Sequence, residues 1–402
     1  MAFTVRPCRD RDELTRAIMA IGHLFARPPD DERLDRFLQI TTLDRMFGAF
    51  DGDEIVGGAG SFPFDLTVPG GSLACAGISV VGVYPTHRRR GALRAMMEEQ
   101  LADTHRRGEP VAALWASEET IYGRFGYGPA AWGCEMTLAR VWSAFAQPLE
   151  RRGQVRFVSL GEAAELFPAV WDALRRERPG VPSRTDAWWR LRTLRVPDEE
   201  KENPRRYVAL ELDGSTQAYA IYRRHPGWTD GSSSAKLEVQ EAVGATPQAT
   251  AEIWRYLFDA DWNETITAAE LPLDHPLLLL LATPRRARFR TADALWVRLV
   301  DVGAALSGRS YAGEGGVVLE LRDELCPWNE GRWSVEGGAA SRTDAPADLA
   351  LDVAALGAAY LGGVSFRELA GALRVEELTQ GAAARADAHF AWRPLPWCPE
   401  IF

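Results

Sequence analysis

The stretch from Leu73 to Arg107 constrains the fold more than any other part of the chain. Leu73 to Val83 is a near-continuous apolar run, the pattern of a central strand buried on both faces. Tyr84-Pro85 ends it, because proline cannot extend the ladder. Thr86-His87-Arg88-Arg89-Arg90-Gly91 follows, and a helix from Gly91 to Arg107 then carries Leu93, Met96, Met97 and Leu101 at helical spacing. This succession delivers free main-chain N–H groups and the positive end of a helix dipole to the end of a buried strand, which makes an anion site. Gly91 lets the backbone approach a phosphate closely. Arg89, Arg90 and Arg94 add forked donors suited to a pyrophosphate. Three arginines alone could be a solvated basic turn; the strand before them and the amphipathic helix after them argue for a cofactor loop.

Strands and helices alternate around this segment. Phe3 to Pro7 reads as a strand and Asp10 to Phe25 as a helix. Met46 to Phe50 and Ile55 to Phe64 form a hairpin across Asp51-Gly52-Asp53-Glu54. After the central helix come a strand (Val111 to Ala116), a short helix (Glu118 to Phe125) and a strand (Ala131 to Leu138). Val155 to Leu299 repeats the order faintly. It has a hairpin (Arg206 to Leu212 and Gln217 to Arg223), a strand (Lys236 to Val243), a helix (Pro247 to Phe258) and strands near Ile266 and Leu295. Gly231-Ser232-Ser233-Ser234 reads as a loop tip. The last stretch begins with strands (Val317 to Leu321, Arg332 to Glu336) and ends in helices (Val353 to Leu361, Ser365 to Ala370, Glu376 to Phe390). A chain of 402 residues exceeds what one core organises. The expected division is 1–148, 149–300 and 301–402, with linkers at Ala144 to Gly153 and Asp301 to Gly315.

A net charge of -10 disfavours nucleic acid or an anionic membrane as partner and suits a cationic one. No apolar run reaches the ~20 residues of a membrane helix, and Pro276 to Ala282 is far shorter. The N-terminus has no secretory pattern, so a cytoplasmic location is expected. The five cysteines are scattered and the six histidines show no ligand spacing with them, so no metal site is expected and the thiols read as buried or incidental. His87 and His105 read as solvated, and Trp188-Trp189 as packing.

The segment Arg88-Arg89-Arg90-Gly91-Ala92-Leu93 resembles the acetyl-CoA signature of the GCN5-related N-acetyltransferases (GNAT), Arg/Gln-x-x-Gly-x-Gly/Ala, with its small residue shifted. Pro85 to Gly91, Ala113-Leu114-Trp115-Ala116-Ser117-Glu118 and Ile121-Tyr122-Gly123-Arg124-Phe125-Gly126-Tyr127-Gly128 are together similar to the Eis (enhanced intracellular survival) family, over the whole chain. The resemblance implies an α/β (α+β) fold of two tandem GNAT-like mixed-sheet domains and a sterol-carrier-protein-like C-terminal domain, the last carried by Asp348 to Glu377. It implies an acetyl-CoA-dependent N-acetyltransferase acting on a cationic amine, in particular aminoglycosides, with polyamines or lysine side chains as other acceptors, and a homohexamer. Val81, Gly82 and Val83 would contact pantetheine and acetyl through their main chain. Arg89, Arg90, Gly91, Ala92, Leu93 and Arg94 would hold the pyrophosphate, with Ser117 and Glu118 further along the cofactor. Tyr122 would be the general acid and the carboxylate of Phe402 the general base.

Amine attack on a thioester needs a proton acceptor for the amine and a donor for the departing thiolate. A tyrosine, with a reference pKa of roughly 10, can serve as donor. A chain-end carboxylate is a poor base in water, and burial beside Trp397, Ile401 and the Phe402 ring would strengthen it. Each role has a plainer rival: Tyr122 as helix-face packing, Phe402 as an anchor of an aromatic, proline-stiffened tail, and Glu118 as a helix-start residue. Asp30-Asp31-Glu32 and Glu400 could meet a cationic substrate, although the former also begin a helix well. The central counterpart of the arginine loop, Gln240 to Thr250, contains no arginine, so that domain is expected to have lost its cofactor site. The rival from another class is a CoA-sensing or lipid-binding protein with a vestigial acyltransferase site.

Overall fold

The computed structural model describes residues 3–25, 30–195, 203–313 and 315–402. Pro28 and Pro29, which precede the acidic run, lie outside them. The N-terminal region contains β1 (Thr4–Pro7), β2 (Met46–Asp51), β3 (Glu54–Val68), β4 (Gly71–Val83), β5 (Val111–Trp115), β6 (Gly128–Pro129) and β7 (Trp132–Ala139). Its helices are α1 (Arg11–Phe25), α2 (Asp31–Phe37), α3 (Ala92–Arg106) and α4 (Glu119–Tyr122). The central region contains β8 (Gln154–Phe157), α5 (Leu160–Glu177), β9 (Arg206–Leu212), β10 (Ser215–His225) and the small pair β11 (Trp228–Thr229) and β12 (Ser232–Ser233). It continues with β13 (Lys236–Gly244), β14 (Thr265–Pro272), β15 (Arg290–Asp293) and β16 (Leu295–Leu299). The last region contains β17 (Gly316–Arg322), β18 (Gly331–Glu336), β19 (Ala339–Arg342), β20 (Leu349–Asp352) and β21 (Val375–Glu377).

These elements form two compact units. One comprises Met1–Ala131, Leu295–Pro396 and Glu400–Phe402, the other Trp132–Ala294 and Trp397–Pro399. The sheets therefore do not follow the sequence divisions at 148 and 300. The first sheet has the order β1-β2-β3-β4-β5-β16-β6 and the second β15-β7-β14-β13-β10-β9-β8. β16, last of the central strands, lies antiparallel to β5 with Leu295 opposite Trp115 and Leu299 opposite Val111. β7, at the end of the N-terminal region, pairs with β14 and β15.

In the first unit, Met97 and Leu101 of α3 cover Ala76 and Ile78 of β4 and Ala112 and Leu114 of β5. Full burial of such a side chain stabilises by about 1.5–3 kcal/mol. The C-terminal sheet, β19-β18-β17-β20-β21, belongs to the same unit. The helix Val353–Ala359 is buried throughout, and Gly357 lies against the Val297 carbonyl of β16. Arg298 of β16 pairs with Asp323 at 2.7 Å, both out of solvent, and Asp323 also accepts from Asn329 at 2.9 Å.

In the second unit, Phe167 and Trp171 of α5 pack with Tyr219, Ile221 and Val243 on one face of the sheet. The helix Pro247–Asp259 brings Ile253, Trp254 and Leu257 against the other.

Four sequence expectations are corrected. Glu376 to Phe390 is not one helix: Val375–Glu377 pairs with β20, and the helix starts at Ala382 after left-handed Gly381. Part of the expected Asp301 to Gly315 linker is a helix, Val302–Ser307, capped by Asp301. Ser232 and Ser233 are paired with Thr229 and Trp228. His105 stacks on Trp328, centroids 4.6 Å apart, and His87 lies between Thr86 and Asp51, so neither histidine is simply solvated. All five cysteines are buried and unpaired.

Candidate active site

β4 pairs with β5 in parallel only at Cys75–Val111, Ala76–Ala112 and Gly77–Ala113. Beyond Gly77 the two strands part. β4 continues against β3 as far as Val83, with a register shift between Gly58 and Gly60 and Val80 in the left-handed region. From Ile78 to Val83 the β5 side of β4 is thus an open edge, and main-chain groups on such an edge take a ligand as they would another strand. Val81, Gly82 and Val83 lie on it; Gly82 packs against Ile21 of α1.

The loop after β4 is shaped for an anion. Arg88 Nε donates to the Val83 carbonyl at 3.2 Å, tying the loop to the strand end. Arg89 and Gly91 both have positive φ, 59° and 98°, and alternating conformations of this kind turn successive N–H groups into one concavity. Gly91 is the N-cap of α3 with no side-chain cap, so the first-turn N–H groups of Ala92, Leu93 and Arg94 receive no side-chain acceptor. A Cβ on Gly91 would meet nothing within 4 Å, which leaves that approach open. Arg89 makes no hydrogen bond or ion pair among the described residues. Arg90 pairs with Asp51 at 3.1 Å. Arg94 pairs with Glu98 at 2.8 Å and Glu324 at 3.1 Å. An open strand edge leading to uncapped N–H groups and guanidiniums fits a pantetheine arm ending in a pyrophosphate.

Tyr122 ends α4 and is buried with Ala76, Ile78, Phe125 and Tyr127, its ring 6.2 Å from that of Tyr127. Burial first, and then the charge of Glu118, push its phenol above the usual tyrosine value, while a hydrogen bond with Ser117 pulls it back. The phenol therefore keeps its proton at neutral pH. Phe402 is half-buried, its ring edge-on to Phe64 with centroids 5.0 Å apart and near Gly77. Side chains alternate along a strand, so Ala76 and Ile78 face Tyr122 while Gly77 between them faces Phe402. The structure places the rings of Tyr122 and Phe402 on opposite sides of β4 where it leaves β5. Ile401 is 55% exposed and does not help bury the chain end; Phe64 does.

Of the remaining candidates Ser117 and Glu118 meet Tyr122, as its shifted phenol records; the others are not brought together with it. Asp30 caps α2 by accepting from Arg33 N at 2.8 Å, Glu32 pairs with Arg36, and Asp31 is exposed. Ser117 and Glu118 are exposed just beyond β5, and Glu400 is buried.

The second unit contains a corresponding opening. β13 and β14 are parallel from Lys236–Thr265 to Val239–Ala268 and then part. Here Thr246 caps the following helix by accepting from Ala249 N, and Pro247 supplies no N–H at its start. Trp397 packs with Val243, Tyr219 and Trp171, and its indole N–H donates to the Glu270 carbonyl on β14. Glu241 of β13 is paired with Arg184, both largely shielded from solvent.

Comparison with known proteins identifies the family and the fold. Residues 4–130 and 180–299 each match an acetyltransferase (GNAT) domain family, and residues 302–399 match a sterol carrier protein domain family. N-acetyltransferase Eis of Mycobacterium tuberculosis is 37% identical over 364 residues, covering 86% of this chain and 85% of its own. This chain belongs to the Eis family of GCN5-related N-acetyltransferases. An uncharacterized N-acetyltransferase of Streptomyces avermitilis is 42% identical over 382 residues, 92% of each chain. The crystal structure of Eis1 from Mycobacterium abscessus shares the Eis fold with a TM-score of 0.87 at 33% identity, covering 99% of this chain and 100% of that one. The expected α/β architecture of two GNAT domains and a sterol-carrier-protein-like domain is present. The chain is an acetyl-CoA-dependent N-acetyltransferase with acetyl-CoA as co-substrate. Among the described residues no helix is long and apolar enough to cross a membrane.

Sequence reasoning missed Phe64 and Gly77, whose roles depend on a contact with residue 402. A glycine inside an apolar strand, two positions beyond a cysteine, is a signal of close approach that does not say what approaches.

Proposed function

We propose that this Eis-family enzyme moves the acetyl group of acetyl-CoA to a primary amine of a polycationic substrate, first an aminoglycoside and otherwise a polyamine or a lysine side chain, by direct attack in a ternary complex. The observation that carries the reading is the two-sided arrangement at Ala76–Ile78, with Tyr122 on one side of the strand and Phe402 on the other. Acetyl-CoA supplies an activated acyl carbon. Val81, Gly82 and Val83 bind along the open edge of β4. Arg89, Arg90 and Arg94, with the N–H groups of Gly91, Ala92 and Leu93, hold the pyrophosphate, and the latter two arginines exchange carboxylate partners for phosphate. Ser117 and Glu118 line the far side at the end of β5.

The carboxylate of Phe402 accepts the proton that the attacking amine must lose, and Tyr122 donates one to the sulfur as the carbon–sulfur bond breaks and the carbon–nitrogen bond forms. Asp30, Asp31, Glu32 and Glu400, in a chain of net charge -10, favour approach of a cation. A cytoplasmic homohexamer completes the proposal.

The test is turnover across a panel of aminoglycosides, polyamines, lysine peptides and neutral monoamines, followed by release of free thiol from acetyl-CoA. Thiol release should require a polycationic amine and match acetylated product one to one. Equal rates with neutral monoamines, or thiol release independent of amine, would contradict the reading.

A further inference from the structure

A chain end has a single covalent tether and frays unless something grips it. With Ile401 exposed, the apolar grip on the final residue falls to the Phe402 ring, and its partner is on β3. Phe64 is 7% exposed and its ring reaches across β4 at Gly77. A Cβ at residue 77 would lie 2.3 Å from the Phe64 ring and 3.2 Å from the Phe402 ring. Glycine at this one position is what lets both rings occupy the place. They meet edge to face, at 62°, so that the electropositive edge of one ring meets the electronegative face of the other. Phe64 is itself braced: Phe62 stands 6.1 Å away on the same strand, and Phe37 of α2 lies 5.7 Å from Phe62. Ring and carboxylate of Phe402 share one Cα, so gripping the ring leaves the carboxylate only the torsions of the bonds that join them.

We propose that Phe64, lying over Gly77, is a positioning residue that grips the Phe402 ring and thereby holds the chain-end carboxylate in place for proton transfer. This rests on the assignment of Phe402 as the base.

A double-mutant cycle on the full-length enzyme tests it, with Phe64→Leu, a two-glycine extension after Phe402, and both together, at saturating acetyl-CoA and amine. Phe64→Leu should lower kcat about 10-fold or more with CoA affinity unchanged, since a misplacement of about 1 Å can cost up to about 10²-fold. The extension should lower kcat by ~10²–10⁴-fold. The double variant should be no slower than the extended enzyme, because Phe64 acts only through a carboxylate already displaced. Losses that multiply, or wild-type kcat in Phe64→Leu, overturn the proposal. Wild-type kcat in the extended enzyme overturns the base assignment and the proposal with it, so the two failures are distinct. Phe402→Leu approaches the same contact from the tail without disturbing β3, keeping the terminal carboxylate and removing the ring. It should also lose about 10-fold in kcat, with Phe402→Tyr recovering most of it. Full activity in Phe402→Leu overturns the proposal even where Phe64→Leu does not fold.

Discussion

β4 leaves β5 after Gly77 in the first sheet, and β13 leaves β14 after Val239 in the second, yet the two openings are lined differently. The first leads to a helix whose cap is a glycine with no side-chain acceptor and to Arg89 with no partner among the described residues. The second leads to a helix capped by Thr246 and started by Pro247, with Trp397 bonded to one lip. Its charges are also of the wrong kind for phosphate. Glu241 is already paired with Arg184, and Glu270 has a carboxyl pushed up to about 7, mainly by burial and further by Glu135. The contrast separates two things that a shared fold tends to merge. Strand splay is backbone geometry and recurs in both sheets, whereas anion binding depends on cap chemistry, and a threonine hydroxyl, a missing N–H and one indole all act against it.

The comparison breaks most visibly at turnover. Tyr122→Phe should lower kcat by ~10²–10⁴-fold with CoA affinity nearly unchanged. Wild-type kcat, with chemistry shown to be rate-limiting, would make Tyr122 a packing residue and leave the first opening without its acid.

Trp397→Ala should destabilise the second unit by about 3–5 kcal/mol, as expected for a large buried aromatic. It should not create a second CoA site, because no arginine replaces Thr246 and Pro247. Denaturant melts and calorimetric titration read the two effects. Two CoA per chain in this variant alone would show that the indole by itself separates the openings, and two in the wild type would show that the openings do not differ.

Arg89→Glu should weaken CoA binding about 10-fold or more, since hydrogen bonds to a charged group are worth about 1.5–3 kcal/mol. Gln248→Glu, on the first turn of the capped helix, should leave it unchanged. Adenosine without phosphates should not distinguish the variants.

A further effect expected is one of acidity. His275 is buried in the second unit, where its Nδ1 accepts from Leu277 N at 3.2 Å, and burial pulls its pKa down to about 3. The unfolded chain binds this proton near pH 6.5 and the folded one near 3. The stability of the neutral ring is therefore present above about 6.5 and is lost as pH falls toward 3, by up to about 1.4 kcal/mol per pH unit. His275→Phe should flatten the acid side of a Tm–pH curve for this unit; an unchanged slope would count against the assignment.

What the sequence made legible was local. The apolar run to Val83, the proline that ends it, the arginine loop and α3 are adjacent in the chain, and each follows from strand burial, turn chemistry or helical spacing. α5 is also written locally, in the capping box of Ser159 and Glu162, but its amphipathic pattern is easily passed over among arginines. Partner choice was not legible. Nothing in β16 marks it for β5 rather than for a neighbour in the chain, because a short, mostly apolar strand fits any sheet of matching edge. The grip on the chain end was hidden for a similar reason: Phe64 and Phe402 are far apart in sequence, and an aromatic residue does not name its partner.

The exchange of β7 and β16 bears on the order in which the protein can be made. β5 needs β16 along its free edge, yet that strand ends at Leu299, some 168 residues after the N-terminal part of the first unit closes at Ala131. At a synthesis rate of about 5–20 residues per second, the nascent N-terminal sheet waits roughly 10–30 s with β5 unpaired on that side. An uncovered apolar edge of this kind is a template for the wrong strand, and β7, emerging soon after, is a ready competitor. Folding of the sheet that leads to the arginine loop is thus coupled to translation of the other, and a polypeptide stopped near residue 148 should collect in aggregates although it contains the whole loop.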